Sequence, residues 1–180
     1  MEYVILDLEA TCWEGNPAGR IQEIIEIGAV RLDRYGRELS QFEAFVRPIH
    51  YPSLSIYCKN LTGITQDNVD KAPPFASVGS TFIDWVEDAD SHTRICSWGD
   101  KDRDLLLSHC REFRLDTDWM DDYVDLKAEY HHIRNIQKKI GLKKALLRED
   151  LEFDGAHHRA FDDASNLARL FVKYIDEWPH

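Results

Sequence analysis

Tyr3-Val4-Ile5-Leu6-Asp7-Leu8-Glu9-Ala10-Thr11 is an apolar run that ends in two carboxylates. Its compact stretch from Tyr3 to Leu8 reads as a buried central strand. Side chains alternate along a strand, so Asp7 and Glu9 share one face while Leu6 and Leu8 share the other. Two adjacent carboxylates at the end of an apolar strand repel each other and resist desolvation. A divalent cation resolves both problems. Emergence of the strand into solvent by residue 7 resolves them equally, and this stretch alone leaves both readings open.

Outward from that strand, Gly15-Asn16-Pro17-Ala18-Gly19 has the composition of a loop. Ile21 to Leu32, rich in Ile and Val, predicts a second strand. Arg34-Tyr35-Gly36-Arg37 predicts a hairpin turn into a third strand over Leu39 to Val46. Pro48 and Pro52 break the pattern, and short helices are expected over Ser53–Leu61 and Gln66–Val69. Phe75, Val78, Phe82, Ile83 and Val86 recur at helical spacing. Thr93–Trp98 predicts a strand. Asp102–Phe113 predicts a helix with Leu105, Leu106 and Cys110 inward. Tyr123–Leu126 predicts a short strand leading into a helix over Lys127–Arg134, followed by helices over Leu142–Leu147 and Ala160–Ile175. Three early strands followed by alternating helix and strand give an α/β class, a mixed central sheet of about five strands flanked by helices. With 180 residues, one domain over 1–180 is expected.

Composition excludes several function classes. Hydrophobic residues make up 43% and charged residues 31%, the balance of an ordinary globular chain. No apolar run reaches the length of a membrane span, and the N-terminal stretch lacks the basic region of a signal peptide. The four cysteines, 12, 58, 96 and 110, form no Cys-x-x-Cys pair, so no zinc site is expected and reduced thiols in the cytoplasm are. The net charge is −11, the opposite of a protein that coats nucleic acid. It is compatible with an enzyme that grips a few nucleotides through divalent cations and a small basic surface. No Gly-x-Ser-x-Gly or Gly-rich phosphate loop is present.

Further acidic and imidazole groups lie at element boundaries. Asp100, Asp102 and Asp104 fall near a helix start, where capping and the helix dipole alone favour carboxylates. His157-His158 and Asp162-Asp163 bracket the start of the last helix. Within each tandem, chemistry by itself does not select a member, and capping accounts for one of the two aspartates.

Taken in order, Asp7-Leu8-Glu9-Ala10-Thr11-Cys12, Ile24-Ile25-Glu26-Ile27-Gly28-Ala29, Leu61-Thr62-Gly63-Ile64-Thr65, Ser97-Trp98-Gly99-Asp100-Lys101-Asp102 and His158-Arg159-Ala160-Phe161-Asp162-Asp163 resemble the DnaQ-like 3′–5′ exonucleases of the DEDDh type, which have an RNase H-like fold. The resemblance covers nearly the whole chain. Its His-x-Ala-x-x-Asp pattern selects His158 over His157 and Asp163 over Asp162. Glu-Ala-Thr-Cys followed by Glu14-Gly15-Asn16-Pro17 resembles the exoribonuclease branch that trims small RNAs, histone-mRNA and ribosomal RNA 3′ ends, and bacterial KapD-type proteins. Eukaryotic members often carry an extra nucleic-acid-binding domain, for which this chain is expected to have no room.

The resemblance implies roles. Asp7, Glu9, Asp102 and Asp163 would hold two Mg²⁺ or Mn²⁺ ions, His158 would act as general base, and the products would be nucleoside 5′-monophosphates. Ala10, Thr11 and Cys12 would line the terminal nucleotide pocket opposite Leu61, Thr62 and Ile64. Tyr57 and Trp13 are candidates to stack on a base, with plain packing as the alternative for both. Relatives commonly place an aromatic residue just before the second-motif aspartate; this chain has Lys101, which would meet a phosphate instead, and Trp98 is not its substitute. Glu26 is expected in a structural hydrogen-bonding role. Lys138, Lys139, Lys143, Lys144 and Arg148 form a basic cluster that either tracks the substrate backbone or is a solvated helix face. The implied partner is a nucleic acid 3′ end, RNA over DNA, single-stranded or a short overhang, with no membrane; no feature names a protein partner. A DNA-directed exonuclease and a catalytically idle binding module are the competing readings.

Overall fold

The computed structural model describes residues 1–15, 17–89 and 91–178; Asn16, within the expected loop at 15–19, lies outside them. Five strands form one sheet: β1 (Glu2–Ala10), β2 (Ile24–Asp33), β3 (Glu38–Phe45), β4 (Thr93–Ser97) and β5 (Tyr123–Asp125). Their order is β3-β2-β1-β4-β5. β1–β2 and β2–β3 pair antiparallel, while β1–β4 and β4–β5 pair parallel. The mixed sheet is as expected, and β1 lies at its centre.

Among the described residues seven α-helices cover it: α1 (Ile56–Thr62), α2 (Gln66–Asp70), α3 (Phe75–Glu87), α4 (Lys101–Phe113), α5 (Leu126–Ile133), α6 (Leu142–Arg148) and α7 (Ala160–Lys173), with a short 3-10 helix at Asp118–Met120. The alternation of β1 divides the interior. Val4, Leu6 and Leu8 pack with α3 and α4 through Phe82, Val86, Leu106 and Cys110. Tyr3 and Ile5 pack on the other face with α5, α6 and α7 through Tyr130, Leu146, Leu167 and Phe171. On that second face a buried carboxylate, Glu149, ties helices together by accepting from the Tyr130 hydroxyl at 2.6 Å and the Tyr174 hydroxyl at 2.5 Å.

Some boundaries differ from expectation for local reasons. β2 starts at Ile24 rather than Ile21. The Glu23 carboxylate accepts the backbone N–H groups of Ile49, His50 and Tyr51, which fixes Glu23 in a loop junction, and Ile21 is exposed. Ser55 caps α1, so that helix begins at Ile56 instead of Ser53. α7 ends at Lys173, two residues before Ile175. Leu106 and Cys110 are buried as expected, but Leu105 is only partly so.

Candidate functional site

Asp7 and Glu9 continue the β1 face that Tyr3 and Ile5 bury against α7. Asp163, in the first turn of α7, arrives from the opposite side. Ligand oxygens of Asp7, Glu9 and Asp163 all lie within 4.8 Å of one another. Asp102 comes from the first turn of α4, just past the end of β4, the parallel neighbour of β1. The site therefore sits at the carboxyl ends of adjacent parallel strands, where open α/β sheets gather their ligands.

The approach of α7 is built into β2. Gly28 lies opposite Asp7 in the sheet register. A Cβ at Gly28 would stand 2.2 Å from the Phe161 backbone nitrogen, so only glycine admits the helix start so close to the strand. Two positions away, Glu26 is fully buried. Its carboxylate accepts from Arg159 Nη2 at 2.6 Å and Nε at 3.0 Å, and from the Ala160 N–H at 2.9 Å. This structural role fastens the α7 N-terminus, and with it Asp163, to the centre of the sheet. The aspartate tandem divides: Asp163 accepts the His158 N–H at 2.8 Å, and Asp162 accepts the Ala156 N–H at 2.8 Å. Neither acts as the N-cap of α7. At α4, Asp100 holds the N-cap position without a side-chain cap bond, and Asp104 pairs with Arg103. Side-chain capping therefore does not account for Asp102.

All four carboxylates hold protons unusually tightly. Burial, then Asp102, Asp163 and Glu9, raise Asp7 well above the ordinary carboxylate range. Glu9 is pushed to about 8 by burial and by Asp163. Asp102 rises to about 7 through burial and Asp163, although Ser97 and Lys101 oppose the shift. Asp163 is raised chiefly by burial. Four acids raised by burial, of which Asp7, Glu9 and Asp102 are raised further by others of the group, are a donor set for a hard divalent cation. The residues thus fit the metal that the motifs imply.

His158 has left-handed backbone, φ 67°, rare for a side chain of its size and held by the bond to Asp163. Its Nδ1 lies 4.0 Å from Glu9 Oε1. Burial and the neighbouring His157 lower its pKa from that of an ordinary histidine, which favours the neutral imidazole. His157 lies 4.0 Å from Asp163 and packs its ring on Phe153. Distance to a carboxylate does not separate the two. Position does: His158 lines the cleft together with Glu9 and Asp102, and His157 does not.

That cleft, about 790 Å³, is also lined by Ala10, Cys12, Leu61 and Lys101. The remaining expected substrate contacts are placed differently. Thr11 is buried, and its hydroxyl accepts the Glu23 N–H. Thr62 is buried and bonds within the end of α1, and Ile64 is core. Trp13 packs edge-on against Tyr51 at 5.1 Å with Arg20 above it. Tyr57 is exposed on α1 but is not part of the cleft wall. Trp98 packs on Tyr130 and His131. Lys138, Lys139, Lys143, Lys144 and Arg148 are exposed and outside the cleft wall. Burial and Cys58 push the Cys12 thiol to about 12, which leaves no thiolate nucleophile near neutral pH.

Sequence reasoning missed Arg20, Ile21, Gln22 and Ser108 in the cleft wall, and it assigned Leu105 to the core alone. Asp102, Leu105 and Ser108 recur three apart on α4 and so share a face. That signal was available once Asp102 was suspected. For Arg20 to Gln22 the only cue would have been the loop that returns to β2.

Comparison with known proteins agrees with this geometry. The family model described as Exonuclease matches residues 4–171. The mouse protein 3′-5′ exoribonuclease 1 is 34% identical over 181 residues, covering 96% of this chain and 52% of its own length. The zebrafish ERI1 exoribonuclease 2 is 37% identical over 196 residues, covering 97% of this chain and 35% of its own. The chain thus spans about half or less of these curated relatives. Among solved structures, the nuclease domain of 3′hExo, a DEDDh family member bound to rAMP, superposes with a TM-score of 0.89 at 30% identity, covering 97% of this chain and 92% of that one. With the sheet order, the converging carboxylates and a match over most of its length, the chain belongs to the RNase T exonuclease family.

Proposed function

We propose that this chain, as a single domain over 1–180, is a divalent-metal-dependent 3′–5′ exoribonuclease that releases nucleoside 5′-monophosphates. The observation that carries the reading is the convergence of Asp7, Glu9 and Asp163 within 4.8 Å, with Asp102 and His158 on the same cleft. The family is generally dependent on divalent metal. The mouse relative is a 3′-5′ exoribonuclease, and the 3′hExo nuclease domain was solved with rAMP, a ribonucleoside monophosphate. These support RNA over DNA and a monophosphate product.

Asp7, Glu9, Asp102 and Asp163 would hold two Mg²⁺ or Mn²⁺ ions. When bound, such ions supply Lewis acidity for an in-line phosphoryl displacement. The protein's own groups do the rest. His158 stands on the cleft with Nδ1 4.0 Å from Glu9, and its neutral imidazole offers a ring nitrogen with a free lone pair. That nitrogen takes the proton from the water that attacks the terminal phosphodiester; the bond to the 3′ oxygen of the shortened chain breaks, and that oxygen leaves with the electron pair and is protonated from solvent. Ala10, Cys12 and Leu61 give the terminal nucleoside an apolar seat, and Lys101 faces its phosphate. The substrate is a single-stranded 3′ end or short overhang. Four free cysteines fit a reducing, cytoplasmic setting. Among the described residues no helix is long and apolar enough to cross a membrane.

Matched RNA and DNA oligonucleotides in Mg²⁺ or Mn²⁺, with products separated by chromatography, test the reading. It expects nucleoside 5′-monophosphates, formed faster from RNA. Faster release from DNA would favour the DNA-directed alternative, and no release with either metal would favour a binding module.

A further inference from the structure

Arg20 stands on the lip of the cleft that contains Glu9, Asp102 and His158. Its guanidinium carbon lies 4.7 Å from the centroid of Trp13 and 5.6 Å from that of Tyr51. Those two rings meet edge to face at 5.1 Å. Tyr51 is itself anchored, since its N–H donates to the Glu23 carboxylate at 2.7 Å. Trp13 and Tyr51, the latter fastened beside the start of β2, thus hold the guanidinium against their rings. A cation–π contact with a ring uses none of the guanidinium's N–H donors on an oxygen acceptor, so they remain available. Among the described residues no hydrogen bond or ion pair takes up those donors.

The surroundings say what they would meet. The chain carries a net charge of −11 and the cleft holds a dense group of carboxylates. Among the described residues the permanent cations that line the cleft are Arg20 and Lys101, one from the loop before β2 and one from the start of α4. For a polyanion entering here, the charges of the cleft wall that attract it are these two side chains, beside any bound metal. Lys101 is a flexible point charge at the start of α4, whereas Arg20 is a preorganised planar fork suited to the paired oxygens of a phosphodiester.

We propose that Arg20, held on Trp13 and Tyr51, binds a non-bridging phosphate oxygen of the substrate backbone at the cleft entrance. This rests on the exonuclease reading above. Its ligand is the sugar-phosphate chain, independent of base identity, and it makes the Trp13–Tyr51 pair a support for the guanidinium rather than a stacking site for a base.

The test is anisotropy of fluorescein-labelled single-stranded RNA with Ca²⁺ replacing Mg²⁺, across a salt titration, paired with KM and kcat in Mg²⁺. Arg20→Ala should weaken RNA binding about tenfold and lower the salt slope by about one. It should raise KM by a similar factor with kcat within about twofold. Arg20→Lys should recover part of the affinity and the whole salt slope. Trp13→Ala should weaken binding about threefold with Arg20 intact and have no further effect in the Arg20→Ala background. A parent enzyme that shortens RNA, with an Arg20→Ala variant unchanged in affinity and salt slope, overturns the phosphate contact and leaves the exonuclease standing. A parent that neither binds nor shortens RNA overturns both.

Discussion

At the scale of single residues, the tandem His157-His158 is the sharpest case. Both imidazoles lie 4.0 Å from a carboxylate, yet only His158 opens on the cleft. His158→Ala should lower kcat by about 10²–10⁴-fold while Mn²⁺ binding, followed by calorimetry, persists. His157→Ala should cost far less. Equal losses would mean that the pair acts as a unit. The pH profile carries the same point. Because the His158 pKa is lowered below 6.5, the neutral base survives to lower pH than an ordinary histidine. The acid limb of kcat that it causes should therefore lie lower than an ordinary histidine would set it, and it should vanish from the residual rate of His158→Ala. At this scale the sequence pattern named Asp7, Glu9 and Asp163, which converge within 4.8 Å, and Asp102 and His158, which line the cleft beside Glu9; their chemical roles are what the variants test. It was not sufficient for Thr11, Thr62 and Ile64. Their neighbours Ala10, Cys12 and Leu61 line the cleft while their own side chains turn inward, and alternation within a loop or helix end is fixed by tertiary packing.

At the scale of elements, the site depends on how closely α7 seats on β2. Gly28→Ala drives a methyl into the Phe161 and Ala160 backbone. It should cost about 3 kcal/mol or more in denaturant unfolding and lower activity through Asp163. Glu26→Ala leaves the Arg159 guanidinium and the Ala160 N–H without their carboxylate, and should cost about 2–3 kcal/mol. Stability within about 0.5 kcal/mol of the parent in either variant would contradict this account of the helix seat. Strand and helix existence was legible throughout, because the apolar period is strong in β1, α3 and α7. Boundaries were less so. The start of β2 depends on Glu23 capturing a distant loop at 49–51, and no local pattern encodes a partner 26 residues away. Glu26 read correctly as structural, but Arg159 as its partner, 133 residues distant, did not.

At the scale of the whole molecule, the fold concentrates acid at the centre of an already acidic chain. Glu9 at about 8 and Asp102 at about 7 lie far above their ordinary values of 4.5 and 3.8. Between those limits the folded protein keeps protons that the unfolded chain has lost. The contribution of these carboxylates to the stability of the metal-free protein therefore falls as pH rises from about 4 through 8. Thermal unfolding in EDTA should show a Tm that drops by several degrees from pH 5 to 8, an effect of order ~4 °C per kcal/mol. Added Mg²⁺ should restore more of it at pH 8 than at pH 5, and Asp7→Asn should flatten the dependence. A Tm in EDTA that rises over this range would show that the carboxylates are not the dominant coupled groups.

The central claim is that the carboxylates held by β1, α4 and α7 form one metal-dependent site that shortens nucleic acid from its 3′ end. Its most direct test is 5′-labelled single-stranded RNA incubated with Mg²⁺ or Mn²⁺, beside an EDTA control and the Asp7→Asn and Asp163→Asn variants. The account predicts a ladder that shortens progressively from the 3′ end and is absent in EDTA and in both variants. An undiminished ladder in Asp7→Asn, or intact RNA with every metal, would contradict it.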